Sequence, residues 1–168
     1  MIRILGIDPG SRNTGYGLID LHGVESVYVD SGVIRVGEGA MPERLHAIYT
    51  SLGDIIAEYR PTVAAVESVF MRNNANSALK LGQARGVALC ALAAAGIPVS
   101  EYAPTAIKQA VVGRGRAEKG QVQHMITALL KLPRAPAEDA ADALAAALCH
   151  GRTGTTLERI GAAMEARA

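Results

Sequence analysis

Apolar positions along this chain fall into short runs of period two or without gaps and longer stretches of period near 3.6, and the order of these blocks predicts the fold. Ile2 to Ile7 reads as a strand ending on Asp8. After a Pro9-Gly10 turn, Thr14 to Asp20 is a second strand in which Gly15 and Gly17 alternate with larger residues, so its backbone should come close to something. A third strand spans about Val24 to Val36 and completes an antiparallel meander. From Pro42 to Tyr59, Leu45, Ile48, Leu52, Ile55, Ile56 and Tyr59 recur at helical spacing. Pro61 to Val66 is almost wholly apolar, as in a strand buried on both faces, and ends on Glu67. The helix is therefore a crossover to a parallel strand.

A polar loop with the only phenylalanine, Phe70, and then Arg72-Asn73-Asn74 precedes a helix that Ser77 can cap and that runs to about Ala95. Gly96-Ile97-Pro98 stops it and opens a short strand to Tyr102. Helices are predicted over Ala103 to Val112, around Val122 to Leu130, and from Pro136 to about His150, with Gly113-Arg114-Gly115-Arg116 as a flexible basic loop. The expectation is an α/β fold: a mixed sheet flanked by helices on both faces, in one domain over residues 1–150. Residues 151–168 are weakly patterned and read as a C-terminal tail, Thr155 and Glu158 being a capping-box pair for a final turn.

Composition narrows the class. A chain of 168 residues, 49% apolar and 20% charged, suits one globular domain. It opens directly into a strand without a leader-like series, and its apolar runs are too short to span a bilayer, so a cytoplasmic protein without membrane contact is expected. Cys90 and Cys149 lie in apolar helical stretches and read as reduced, buried thiols, and four scattered histidines show no zinc spacing. The net charge of +1 hides a division along the chain: residues 72–134 hold nine Lys or Arg against two acids. Such a segment is the footprint of a surface facing a polyanion, with a solvated helical face as the alternative.

The last firm helix carries acids where acids are costly. Asp139 and Asp142 are three apart, on one face of an alanine-rich helix built to pack closely on a sheet. Glu138, four before Asp142, competes for the same role. With Asp8 and Glu67 at strand ends, four carboxylates can converge, and an all-oxygen set suits Mg²⁺ or Mn²⁺. A paired-ion site of this kind matches phosphodiester hydrolysis.

The chain resembles RuvC-type Holliday junction resolvases, endonucleases of the ribonuclease H-like superfamily. The resemblance rests on GIDPGSRNTGYG at 6–17, ESVFMRNNANSALKLGQARG at 67–86, KQAVVGRGRAEKGQVQHM at 108–125 and LLKLPRAPAEDAADALAAAL at 129–148, in the same order. It implies a five-stranded mixed sheet, a homodimer, Mg²⁺ dependence with Mn²⁺ as a substitute, symmetric nicking of four-way DNA junctions in recombination and repair, and cooperation with a RuvA and RuvB branch-migration complex. The family's acidic tetrad falls on Asp8, Glu67, Asp139 and Asp142, its stacking aromatic on Phe70 and its two functional lysines on Lys108 and Lys119. Arg72, Arg114 and Arg116 are further candidate DNA contacts. The chain departs from the usual pattern at Ser68, where relatives often have glutamine, at Arg72-Asn73, where an Ala-Lys pair is common, and at Asn76, often aspartate.

Two other classes compete. The strand-turn-strand at 6–17 also resembles the phosphate loop of actin-like or sugar-kinase-like ATPases, but 168 residues leave no room for their second domain. A non-catalytic DNA-binding protein would have no use for four converging acids. For the dimer, Leu79, Gly82, Gly86 and Leu89 form a helical stripe that packs either on a second copy or on its own sheet.

Overall fold

The computed structural model describes residues 1–68, 74–113, 115 and 118–165. Five strands, β1 (Ile2–Asp8), β2 (Asn13–His22), β3 (Glu25–Arg35), β4 (Val63–Glu67) and β5 (Val99–Tyr102), form one sheet in the order β3-β2-β1-β4-β5. The first three pair antiparallel, and β4 and β5 add in parallel on the other side of β1. The meander and the crossover expected from the apolar runs are both present.

Period two in the strands sends alternate residues to opposite faces, so each strand feeds two cores. Leu5, Ile7, Leu18, Ala64 and Val66 pack on one side with Ile48, Leu52 and Ile56 of α1 (Met41–Tyr59) and Ala84, Ala88, Ala91 and Leu92 of α2 (Ala75–Ala94). Ile4, Ile19, Leu21 and Ala65 pack on the other. They meet α3 (Pro104–Val112), α4 (Lys119–Leu129) and α5 (Glu138–Glu165). Pro42 starts α1, and Arg60 ends it in a left-handed conformation, φ 50°, its N–H bonding the Ile56 carbonyl at 2.9 Å before Pro61 prevents continuation. Arg3 pairs with Asp20 through two bonds of 2.8 Å and donates to the Tyr59 carbonyl at 2.9 Å, tying β1, β2 and the end of α1 together.

Three details differ from the sequence pattern. Asn74 caps α2, its side-chain oxygen accepting from the N–H groups of Asn76 and Ser77, so the helix begins two residues before the Ser77 cap. Cys90 is exposed, while Cys149 is buried as expected. Helix α5, which the apolar pattern ends near His150, continues to Glu165.

Helix α5 lies against the sheet with almost no side chain between the two backbones. A Cβ on Gly6 would overlap the Ala143 carbonyl, one on Gly15 the Asp139 carbonyl, and one on Gly17 the Leu144 side chain. Gly6 and Gly17 are register partners, and so are Asp8 and Gly15, so one short stretch of β1 and β2 supplies the whole trough. The alternation of glycines in the second strand thus has its partner: the backbone comes close to α5. Ala140, Ala141, Ala143 and Ala145 to Ala147 keep the helix side equally thin. Gly15→Ala should lift the first turn of α5, lower stability by about 1–3 kcal/mol as overpacking does, and cut any activity that depends on that end of the helix more than that loss of folded protein explains. Calorimetry beside specific activity corrected for folded fraction checks this.

Candidate active site

Asp8 is the last residue of β1 and Glu67 the last of β4. Because Ile7 and Val66 are parallel register partners, the two acids follow on neighbouring strands, about 4.8 Å apart in backbone. Strand alternation puts Asp8 on the face of Gly6 and Glu67 on the face of Ala65, which is the face that α5 covers. From above, the Asp139 carbonyl rests on Gly15, the residue beside Asp8, and Asp142 follows one turn later. Sheet ends and helix thus direct four acids at one place.

The electrostatics of Asp8 record that convergence. Its carboxyl is pushed up to about 9, first by burial, then by the Glu67 charge and a hydrogen bond with Glu67, then by Asp142 and Asp139. Among the described residues, every charge acting on it is another carboxylate. Two neighbouring acids in that position share a proton in place of carrying two charges. Glu138, the rival in the sequence, is exposed and does not act on Asp8.

The backbone around these acids is pinned. The turn after Asp8 is held by Thr14, almost fully buried, whose hydroxyl donates to the Gly10 carbonyl at 2.9 Å and accepts from the Gly10 N–H at 3.3 Å. Arg44 of α1 reaches across to donate to the Ser11 carbonyl. Ser68, directly after Glu67, donates both its N–H, at 2.9 Å, and its hydroxyl, at 3.1 Å, to the Tyr102 carbonyl of β5. The serine that stands where relatives often have glutamine is therefore a clamp on the end of β4. Thr14, Arg44 and Ser68 were not singled out as supports by sequence reasoning, because each acts on a partner remote along the chain or on a main-chain atom.

Of the remaining candidates, Lys108 is half-buried on α3, on the α5 side of the sheet. Lys119 opens α4, whose N-terminus carries a Glu118–Gln121 capping box. Phe70, Arg72, Arg114 and Arg116 lie outside the described residues.

A set of four carboxylates is the chemistry of a hard divalent cation. Among the described residues no three acidic, histidine or cysteine side chains already form a finished cage, as expected of like charges that a cation must draw together. The donor set fits such an ion, with Asp8, Glu67, Asp139 and Asp142 as the available oxygens.

Comparison with known proteins decides the family. The family model described as crossover junction endodeoxyribonuclease RuvC matches residues 4–150. A curated relative of that name from Shewanella piezotolerans is 56% identical over 167 residues, 99% of this chain and 96% of its own. The chain belongs to the RuvC family. RuvC from Thermus thermophilus, solved in complex with a Holliday junction substrate, superposes with a TM-score of 0.84 at 33% identity, covering 92% of this chain and 98% of that one. The yeast mitochondrial Holliday junction resolvase shares the fold at a TM-score of 0.68 and 15% identity, covering 94% and 82%. Membership makes the chain an endodeoxyribonuclease and implies dependence on a divalent metal. Among the described residues, no helix is long and apolar enough to cross a membrane.

The raised Asp8 value sets a pH dependence. The folded chain holds a proton at Asp8 up to about pH 9, whereas the unfolded chain releases it near 4. Metal-free stability is therefore highest at low pH in this respect and is lost as pH rises from about 4 towards 9. Asp8→Asn should raise the metal-free melting temperature at pH 8 by a few degrees, each kcal/mol being about 2–4 °C in a chain of this size, and flatten its pH dependence. Divalent-metal affinity of the wild type should climb towards about tenfold per pH unit below 9, with one proton released. Titration calorimetry in buffers of different ionisation enthalpy measures both.

Proposed function

We propose that this chain resolves four-way DNA junctions in recombination and repair by paired symmetric nicks, through Mg²⁺-assisted phosphodiester hydrolysis, with Asp8, Glu67, Asp139 and Asp142 as its metal-holding and catalytic residues. The observation that carries the proposal is the Asp8 carboxyl, raised first by burial and then by three other carboxylates that meet it from β4 and α5. Acids held together at such cost favour the bound state of something positive. Two Mg²⁺ ions, or Mn²⁺ in their place, would supply water activation on one side and stabilisation of the departing oxygen on the other. The chain's part is to hold four oxygens on rigid elements, to keep a proton at Asp8 until a cation replaces it, and to bring the phosphodiester to the ends of β1 and β4.

DNA contacts fall to Lys108, Lys119, Arg72, Arg114 and Arg116, and Phe70 stacks on an exposed base. What supports this is the concentration of cations in residues 72–134 and the family match over 4–150, which we take as the nuclease domain within residues 1–150. Two strands of like polarity must be cut, so a homodimer is required. Leu79 is 69% exposed on α2, and a Cβ on Gly82 or Gly86 would meet nothing, whereas the sheet side of that helix is Ala84, Ala88, Ala91 and Leu92. The Leu79, Gly82 and Gly86 part of the stripe therefore faces outward, which favours a second copy there, while Leu89 packs partly against the chain's own core. A cytoplasmic protein working beside RuvA and RuvB completes the reading.

Nicking of a synthetic four-way junction in Mg²⁺ without ATP, stopped by EDTA, tests the activity directly. Asp8→Asn and Asp142→Asn should each slow cleavage by three decades or more, about 4 kcal/mol of barrier, while junction binding in EDTA holds or tightens. Parallel loss of binding and cleavage would mean misfolding, and retained cleavage would remove that acid from the site. Mixed dimers of wild-type and Asp8→Asn chains should convert a cruciform-bearing supercoiled plasmid to nicked circles where the wild type gives linear product. Linear product from mixed dimers in one binding event would overturn the two-site mechanism.

A further inference from the structure

Beyond the acid cluster, the same face of the sheet carries a second basic feature. β3 is the outer edge of the sheet, and between it and residues 132–137 with the first turn of α5 runs an open groove of about 580 Å³. Arg35 stands on one wall and Arg134 on the other, both exposed, and among the described residues no acid lines the groove. Arg3, Arg12 and Arg85 are each paired with a carboxylate, and Arg44 and Arg152 with main-chain carbonyls. Arg35 and Arg134 make no such bond among the described residues.

The register locates the groove. Asp8 pairs with Gly15, and Gly15 with Val33, so Val33 lies two strand spacings from Asp8. That is about 10 Å. Alternation places Ser31, Val33 and Arg35 on the face of Gly15, where the Asp139 carbonyl also rests. Helix α5 thus divides one surface: Asp139 and Asp142 belong to the acid cluster, and Ala137 and Ala140 line the groove. A DNA strand advances about 3.4 Å per nucleotide, so the groove stands about three nucleotides from a phosphodiester held at Asp8. Guanidinium forks match phosphate oxygens, and two of them facing each other without a carboxylate to neutralise them suit a sugar-phosphate backbone and carry no base preference.

We propose that this groove carries the backbone of the cleaved strand about three nucleotides from the scissile phosphate, gripped by Arg35 and Arg134 from its two walls. The inference rests on the nuclease reading above, and the experiment separates the two. Junction affinity of Arg35→Gln, Arg134→Gln and the double variant is measured in EDTA between 50 and 200 mM salt. Each single change should lower the magnitude of the log–log salt slope by about 0.9, so the wild-type advantage shrinks about 3.5-fold over that range, and the double change by about twice as much. Arg35→Lys and Arg134→Lys should keep the wild-type slope. Uncharged methylphosphonates placed one at a time along the cleaved strand should weaken wild-type binding near the third position from the cut and leave the double variant unaffected there. If the natively melting double variant keeps the full slope, or the methylphosphonate effect is equal in both proteins, the groove is off the DNA path and is open instead to an acidic peptide or a strand from another chain. In that case wild-type binding and cutting persist, and only the groove proposal falls. A wild-type chain that neither binds nor cuts the junction overturns both.

Discussion

Contact between the backbone of α5 and the backbone of β1 and β2 is the constraint on which the site depends. Helix and sheet layers are ordinarily kept apart by side chains from both, and short polar groups at the ends of strands would then stand too far from a helix to act with it. Here Gly6, Gly15 and Gly17 remove the side chains on one side of the contact, and a run of alanines reduces them on the other. The gap closes to main-chain contact, and two aspartates on α5 come within electrostatic reach of Asp8. Close packing that elsewhere serves stability sets the distance between the acids here.

That closeness raises a second problem, which the surrounding elements solve. Four acids repel, and a loosely held turn or helix end would relax away from the others. Thr14 and Arg44 hold the turn after Asp8, Ser68 ties the end of β4 to β5, and α5 is anchored by its buried alanines and Leu144 and Leu148. With the backbone held, the repulsion is met by the proton kept at Asp8, and a cation that enters takes that proton's place.

Much of this was legible in the residues. Apolar runs that end on an acid located Asp8 and Glu67, and the helical spacing of Asp139 and Asp142 put both on one face; the register of β1 with β4 and the glycine contacts of α5 join them. The exposure of Cys90 was not legible, because α2 is apolar on most sides and its buried face is chosen by where α1 and the sheet lie. Asn74 and Ser77 are both competent caps, and the choice depends on the path by which the chain enters the helix, not on either residue alone. The extent of α5 beyond His150 was hidden by Gly151, Thr153 and Gly154, residues of low helix propensity that the pattern weighs against continuation. The supports at Thr14, Arg44 and Ser68 involve main-chain partners, for which no composition signal exists.

Because the four acids arise from three stretches far apart in the chain, their cluster is a property of the completed fold and of no fragment. A growing chain emerges with Asp8 and later Glu67 on a nascent sheet, but Asp139 and Asp142 are made last, on the helix that must settle into the glycine trough. Until then the chain holds only two of the four carboxylates, too few to assemble the cluster. The four-acid arrangement is thereby absent while the chain is being made and exists only once α5 is seated in the glycine trough.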